Sequence, residues 1–156
     1  MTMAQTDDIK VIVFQLMDKE YAIPVSQVQS IEKVPPITRV PGTSSFVKGV
    51  INLRGVVTPI IDLRKRFGFP EVSYHENTRV IIVSMEDIEV GLIVDAANDV
   101  IDIPANSIEP PPEVVGGLDE DYIKGVAKID KRLLILLDLG RVLKSDEITV
   151  SAGNEG

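Results

Sequence analysis

The chain has 156 residues, 44% hydrophobic and 26% charged, a composition that builds a globular domain and excludes a disordered one. With 24 acidic against 16 basic residues the formal net charge is −8, which argues against a general binder of nucleic acid or anionic membrane. There is no cysteine, so disulfides, thiolate metal sites and cysteine nucleophiles are excluded, and no apolar run approaches the length of a membrane span. In chain order, Met1 to Lys10 opens polar and acidic, unlike a secretory signal, which together with the missing cysteines predicts a cytoplasmic protein. Ile9 to Leu16 reads as a strand, with Ile12, Phe14 and Leu16 on one face and Val11 and Val13 on the other. Apolar side chains on both faces predict a strand with its own core on one side and a second apolar surface on the other. Met17-Asp18-Lys19 is the turn into a partner strand, Glu20 to Ile23, and Pro24 to Val28 is a short helical turn opened by a proline. The next strand leads toward Val40, kept short or at an edge by Pro35, Pro36 and Pro41. Val47 to Leu53 and Val56 to Ile61 flank Arg54-Gly55, a hairpin signal, with Pro59 at an edge or bulge position. Leu63 to Phe67 is helical and stops at Gly68. The second half gives strands at Val80 to Met85 and Ile88 to Val94, a turn at Asp95 to Asn98, then strands at Val100 to Ile103, Tyr122 to Ile129 and Leu133 to Leu137. A helix follows from Asp138 to Lys144. Asp62 and Asp138 each stand where a carboxylate caps the free amides of a helix start.

The chain contains itself twice. The run from Val11 to Ile23 aligns without a gap on the run from Val80 to Leu92, at an offset of 69. Further on, Phe46-Val-Lys-Gly-Val-Ile-Asn-Leu aligns on Tyr122-Ile-Lys-Gly-Val-Ala-Lys-Ile, and Ile60-Ile-Asp-Leu on Leu136-Leu-Asp-Leu, at an offset of 76. The loop from Glu109 to Leu118 accounts for the difference. Residues 1–156 thus read as a single domain built of two repeats, 10–75 and 79–145, followed by a polar tail, 146–156. Five short strands per repeat, closed by tight turns, predict two small barrels. Each is marginal in size alone, so the two should share a core.

Charge is unevenly placed. Between Val80 and Ile123 stand eleven acids and no lysine or arginine, whereas Lys48, Arg54, Arg64, Lys65 and Arg66 face a single acid, Asp62, between Lys48 and Arg66. The spread reads either as solvated strand faces or as two faces of opposite sign that steer protein partners. Catalytic chemistry finds little support. His75, the one histidine, sits in the polar stretch Glu71 to Thr78 and reads as an exposed linker residue. Gly116-Gly117 follows prolines and reads as a flexible insert. Asp95 and Asp99 could do acid–base work but have no second motif to fix them, and the surrounding carboxylates lack a calcium-loop pattern. No cofactor and no metal are expected. Physics alone gives a two-barrel module that binds proteins.

The ordered set Tyr21-Ala-Ile-Pro-Val, Thr38-Arg-Val-Pro-Gly and Phe46-Val-Lys-Gly-Val-Ile-Asn-Leu-Arg-Gly-Val-Val-Thr-Pro-Ile-Ile-Asp-Leu-Arg resembles the CheW family of bacterial chemotaxis coupling proteins. The likeness continues through Glu89-Val-Gly-Leu-Ile-Val-Asp, Ile108-Glu-Pro-Pro-Pro and Tyr122-Ile-Lys-Gly-Val-Ala to Leu137-Asp-Leu, covering about residues 9–145. The resemblance implies a mainly β fold: two pseudo-repeated, five-stranded SH3-like barrels around a shared hydrophobic core, with short helices. It implies a non-enzymatic adaptor joining the cytoplasmic hairpin tip of methyl-accepting chemoreceptors to the regulatory domain of the histidine kinase CheA. Such an adaptor is cytoplasmic and recruited to membrane-associated receptor arrays. Carried over by position, Ile12, Val25, Val28, Gly49 and Ala97 belong to the receptor groove. Asn52, Leu53, Arg54 and Gly55 form the coupling hairpin. Many members carry a glutamate where Ser30 stands, so an acid contact with Arg54 is absent here or moves to Glu32, leaving Ser30 and Glu32 as the kinase-contact positions. With 156 residues the chain fits the free coupling protein better than a receiver or kinase fusion. A scaffold for another chemosensory array, such as one for surface motility, and more remotely a small acidic enzyme, are the alternatives.

Overall fold

Both apolar faces of the first strand are buried, and their two destinations organise the molecule. The computed structural model describes residues 8–85, 87–111 and 120–143; the Gly116-Gly117 insert and the tail at 146–156 lie outside the described residues. Among the described residues eleven strands occur in the order β1 (Asp8–Leu16), β2 (Lys19–Pro24), β3 (Val28–Lys33), β4 (Val47–Leu53), β5 (Val56–Asp62), β6 (Arg79–Met85), β7 (Ile88–Val94), β8 (Ala96–Pro104), β9 (Ile108–Glu109), β10 (Ile123–Ile129) and β11 (Arg132–Leu137). Two one-turn helices, α1 (Leu63–Arg66) and α2 (Leu139–Val142), follow β5 and β11. They form a six-stranded sheet ordered β8-β1-β2-β11-β10-β9 and a five-stranded sheet ordered β3-β6-β7-β5-β4.

The assignment of one barrel to 10–75 and the other to 79–145 is thereby corrected. The β1–β2 hairpin of the first repeat sits among the strands of the second, and the β6–β7 hairpin sits among those of the first. Parallel pairings seal the exchange: Tyr21 opposite Ile135 in β2–β11, and Ile61 opposite Leu92 in β5–β7. Each repeat donates the middle of the other's sheet. The two sheets correspond strand for strand, except that β9 is matched only by an isolated bridge from Thr38 to Val50.

The exchanged hairpins bury two layers. Ile12, Phe14, Leu16, Tyr21 and Ile23 meet Ile81, Val83, Val90, Leu92 and Val94 in the shared core. The opposite faces enter separate interiors: Val11, Val13 and Ala22 with Ile103, Leu134 and Leu136, and Val80, Ile82 and Ile93 with Ile51 and Ile60. At roughly 1.5–3 kcal/mol per buried large aliphatic side chain, a hairpin buried on both faces outweighs any single local pairing in deciding the topology.

The repeat register extends to the helix ends. Asp62 accepts hydrogen bonds from the Arg64 and Lys65 amides at 2.9 and 3.4 Å, and Asp138 from the Arg141 amide at 3.3 Å, as the capping reading requires. The Arg66 guanidinium lies over Phe46 and Tyr122, at 4.6 and 5.2 Å from the ring centres, and its Nε donates to the carbonyl of Val142 at 2.8 Å. Phe46 and Tyr122, like Arg66 and Val142, are repeat equivalents, so this contact marks the pseudo-twofold between the halves.

Three local expectations shift. Only Asp95 interrupts the chain between β7 and β8, so the expected turn at Asp95 to Asn98 is mostly strand. There Val13 pairs with Asp99 and Phe14 with Ala97, leaving position 98 as a bulge. The second helix is shorter than read, ending at Val142. Pro59 is tolerated in an interior strand because β7 begins pairing with β5 only at Ile60.

Candidate protein-docking groove

β3 and β8 are edge strands of different sheets, and they are repeat equivalents at the offset of 69. Each starts immediately after an interruption of strand structure, a 3-10 turn at Val25–Gln27 for β3 and Asp95 for β8. Val28 lies opposite Val83 and its equivalent, Ala97, opposite Phe14. Both pairs point to the shared core. Ile12 is 6% exposed and belongs to that core, while Val25, Val28 and Ala97 are half-buried along its margin. All four residues from the sequence reading belong to the shared core or pack against it, at margins that reach the surface along β3 and β8. Ile12 is the buried member of the four.

Two residues of the same margin were missed. Ile31, 39% exposed, lies opposite Ile81; Val100, 53% exposed, lies opposite Ile12. Opposed residues in an antiparallel pair share a face, so both project on the groove side. Ile31 and Val100 are themselves equivalents at the offset of 69, a signal present in the repeat.

Gly49 does not join this cluster, which corrects its placement there. It is buried in β4 with φ +149°, and a Cβ would overlap the carbonyl oxygen of Thr38 and lie 2.9 Å from Ile37 Cγ2. The close approach that requires glycine is made by the chain's own Thr38 bridge. Gly125, its equivalent, is confined in the same manner by Ile108 and Glu109 of β9.

Asn52 to Gly55 do form an exposed hairpin tip. Arg54 (φ 52°) and Gly55 (φ 85°) both adopt the left-handed conformation of a tight two-residue turn, closed by the Gly55 amide donating to Asn52 Oδ1 at 2.8 Å. Leu53 turns inward against the five-stranded sheet's own interior. Arg54 is exposed and makes no ion pair among the described residues, with Glu32 or any other acid. Val56 and Val57, 51% and 67% exposed, extend the tip as apolar surface that the sequence reading took only as strand. The Ser30 hydroxyl is buried, opposite Ile82, and has no hydrogen-bond partner. Glu32 is half-buried on the same edge strand.

The acids considered for proton transfer are held by arginines. Asp95 takes both Nε and Nη2 of Arg64, at 2.9 and 2.6 Å, and also the Met17 amide at 2.8 Å. Hydrogen bonding to Asp95 holds the Arg64 guanidinium above its ordinary pKa. Asp99 accepts from Arg132 at 3.0 Å, while Arg132 forks onto Glu20 at 3.0 and 2.9 Å. His75 Nδ1 accepts the Asn77 amide at 3.1 Å, which gives it a turn-forming role. Elsewhere, a cleft of about 310 Å³ is lined by Lys48, Asp62, Glu71, Val72, Ser73 and Tyr74. Burial pushes the Asp62 carboxyl above its usual range there. Among the described residues no group of carboxylates and histidine is arranged to hold a metal ion, and no helix is long and apolar enough to cross a membrane.

Residues 10–147 match the CheW-like domain family. The chain is 51% identical over 137 residues to the chemotaxis protein CheW of Bacillus subtilis (strain 168), covering 88% of each. It is 41% identical over 139 residues to the chemotaxis protein CheW of Klebsiella aerogenes, covering 89% of this chain and 84% of that one. Among solved structures, the scaffolding protein TtCheW of Thermoanaerobacter tengcongensis superposes with a TM-score of 0.81 at 39% identity, covering 88% of both chains.

Proposed function

This chain belongs to the CheW-like domain family, whose relatives are chemotaxis scaffold proteins, and we propose that it couples the cytoplasmic tips of chemoreceptors to a histidine kinase of the CheA type. The proposal includes its recruitment from the cytoplasm to membrane-associated receptor arrays and a role without catalysis. The observation that carries it is an apolar margin of the shared core, with half-buried Val25, Val28 and Ala97, buried Ile12 and exposed Ile31 and Val100, which the proposal reads as a groove. An apolar trough between two sheets takes the apolar face of a helix, read through a few anchors. The Arg54 tip with Val56 and Val57 offers a second, separate surface suited to the kinase regulatory domain. An unpaired arginine there adds little to folding but presents a planar donor fork to a partner's carboxylate.

The test is binding of the purified chain to a receptor-tip helical hairpin and, separately, to the kinase regulatory domain. Val28→Asp places a charge in the trough and is expected to weaken the hairpin by at least ~10-fold, about 1.4 kcal/mol or more, while sparing the kinase domain. Arg54→Glu is expected to do the reverse, leave the melting temperature nearly unchanged and lower stimulated kinase activity in reconstituted arrays. Unchanged hairpin affinity in folded Val28→Asp removes the groove from receptor recognition.

A further inference from the structure

The two walls of the groove are equivalent in sequence register but not in how they are held. On the β8 wall, Asp95 and Asp99 bracket Ala97. Asp95 is gripped bidentately by Arg64 of α1, with the two side chains only 13% and 18% exposed, and its own amide donates to Gln15 at 3.0 Å. Asp99 is gripped by Arg132 of β11, itself oriented by Glu20. The bulge at position 98 lies between these two anchors. On the β3 wall the positions equivalent to Asp95 and Asp99 are Ser26 and Ser30, and those equivalent to Arg64 and Arg132 are Gly140 and Val56. All four ionic partners are replaced at once. The Ser30 hydroxyl is unpartnered, and no hydrogen bond reaches the Ser26 hydroxyl among the described residues.

A bidentate, largely buried pair such as Arg64–Asp95 fixes geometry in a way that an exposed pair does not, and the single, half-exposed contact Arg132–Asp99 is the lesser of the two anchors. We propose that the β8 wall is a stiff reference edge, pinned by Arg64–Asp95 and Arg132–Asp99, against which the β3 wall adapts, and that Arg64 is a positioning residue for helix recognition in the groove. This rests on the reading of the groove as the receptor site. The pinned wall sets the depth at which Ala97 meets a helix and therefore tolerates no added bulk. The β3 wall, carrying Val25 and Val28, supplies the give that lets receptors of different tip sequence be accommodated.

The test uses the full chain, a chemoreceptor-tip helical hairpin as the probe, and a double-mutant cycle between Arg64→Gln and Ala97→Val. With Arg64 present, Ala97→Val is expected to weaken the hairpin at least ~10-fold; in the Arg64→Gln background the same substitution costs no more than ~3-fold, because the wall yields. Amide exchange in Arg64→Gln is expected to speed up at residues 96–100 and stay unchanged at 28–33, a pattern that a general loss of stability does not produce. Equal costs of Ala97→Val in the two backgrounds, or unchanged exchange at 96–100, overturns the proposal. Should Arg64→Gln fail to fold, Arg132→Gln takes its place in the cycle. A parent chain that does not bind the hairpin at all refutes the receptor reading instead, and the exchange pattern alone then decides the stiffness of the wall.

Discussion

Replacing Gly49 by alanine separates two roles for a glycine that the structure places away from the groove. The added Cβ overlaps the Thr38 carbonyl oxygen and comes within 2.8 Å of its carbonyl carbon, so the Thr38 segment must move. That segment is tied to β4 by two hydrogen bonds, Thr38 N to Val50 O at 2.9 Å and Val50 N to Thr38 O at 2.8 Å. Each contributes about 1 kcal/mol net. An alanine held at φ +149° adds strain of about 1–3 kcal/mol. The expected loss is about 3–5 kcal/mol, a fall in melting temperature of roughly 10 °C for a domain of this size. Gly125→Ala meets an equivalent obstruction, Ile108 Cγ2 at 2.7 Å and Glu109 O at 2.8 Å, but not the left-handed backbone, so its loss should be smaller. Thermal melts of both variants give the stability, and hairpin affinity measured well below the melting range gives the recognition. Near-parental affinity is expected from both. A Gly49→Ala protein that melts within about 2 °C of the parent yet binds the hairpin over tenfold more weakly refutes the reasoning and returns Gly49 to the partner surface.

Other outcomes follow from buried polar groups and from the exchange of hairpins. Tyr21 is fully buried with an unpartnered hydroxyl, and burial pushes its pKa up to about 12. Tyr21→Phe should therefore be neutral or stabilising, by up to about 1 kcal/mol. Because the folded state holds that proton more tightly than the unfolded chain, parental stability falls as pH rises from about 10 to 12, and denaturant melts of Tyr21→Phe should lack that part of the fall. Asp62 is 4% exposed and its carboxyl is raised by burial, so its charge opposes folding above the usual carboxylate range. Asp62→Asn keeps a capping oxygen, so melts should show it level with or above the parent at neutral pH, and the difference should shrink as acid protonates Asp62. A fragment ending at His75 lacks β6 and β7, the centre of its own sheet, and should show no cooperative transition alone. Mixed with the remainder of the chain, it should regain one, as followed by circular dichroism.

What the sequence made legible was local. The β4–β5 hairpin, its Arg54-Gly55 turn, the proline-opened turn before Val28 and the caps at Asp62 and Asp138 each depend on a few neighbouring residues. The double-faced pattern of Ile9 to Leu16 correctly predicted two apolar surroundings, but it could not say whose. Both repeats carry the same pattern, so either hairpin satisfies either sheet, and the choice is made by the parallel pairings β2–β11 and β5–β7 between distant segments. The start of β8 reads as a turn because Asp95-Ala-Ala-Asn-Asp has weak strand propensity; ion pairs with Arg64 and Arg132 hold it in the sheet instead. At the site, Val25, Val28 and Ala97 carry no mark that distinguishes a groove margin from plain core. Ile31 and Val100 carry a repeat equivalence in the sequence, but their exposure depends on the tertiary structure.

The exchanged hairpins also fix a timetable. The chain leaves the ribosome from its amino end, so β1 and β2 emerge first, yet every other strand of their sheet lies beyond Val94, the last being β11 at Arg132–Leu137. The five-stranded sheet, by contrast, is complete once Val94 is out. The five-stranded sheet can therefore close before the first hairpin has the strands that flank it, leaving one face of that hairpin without its own interior. A chain at that stage is expected to expose apolar hairpin surface to neighbouring copies, the condition under which misassembly competes with folding.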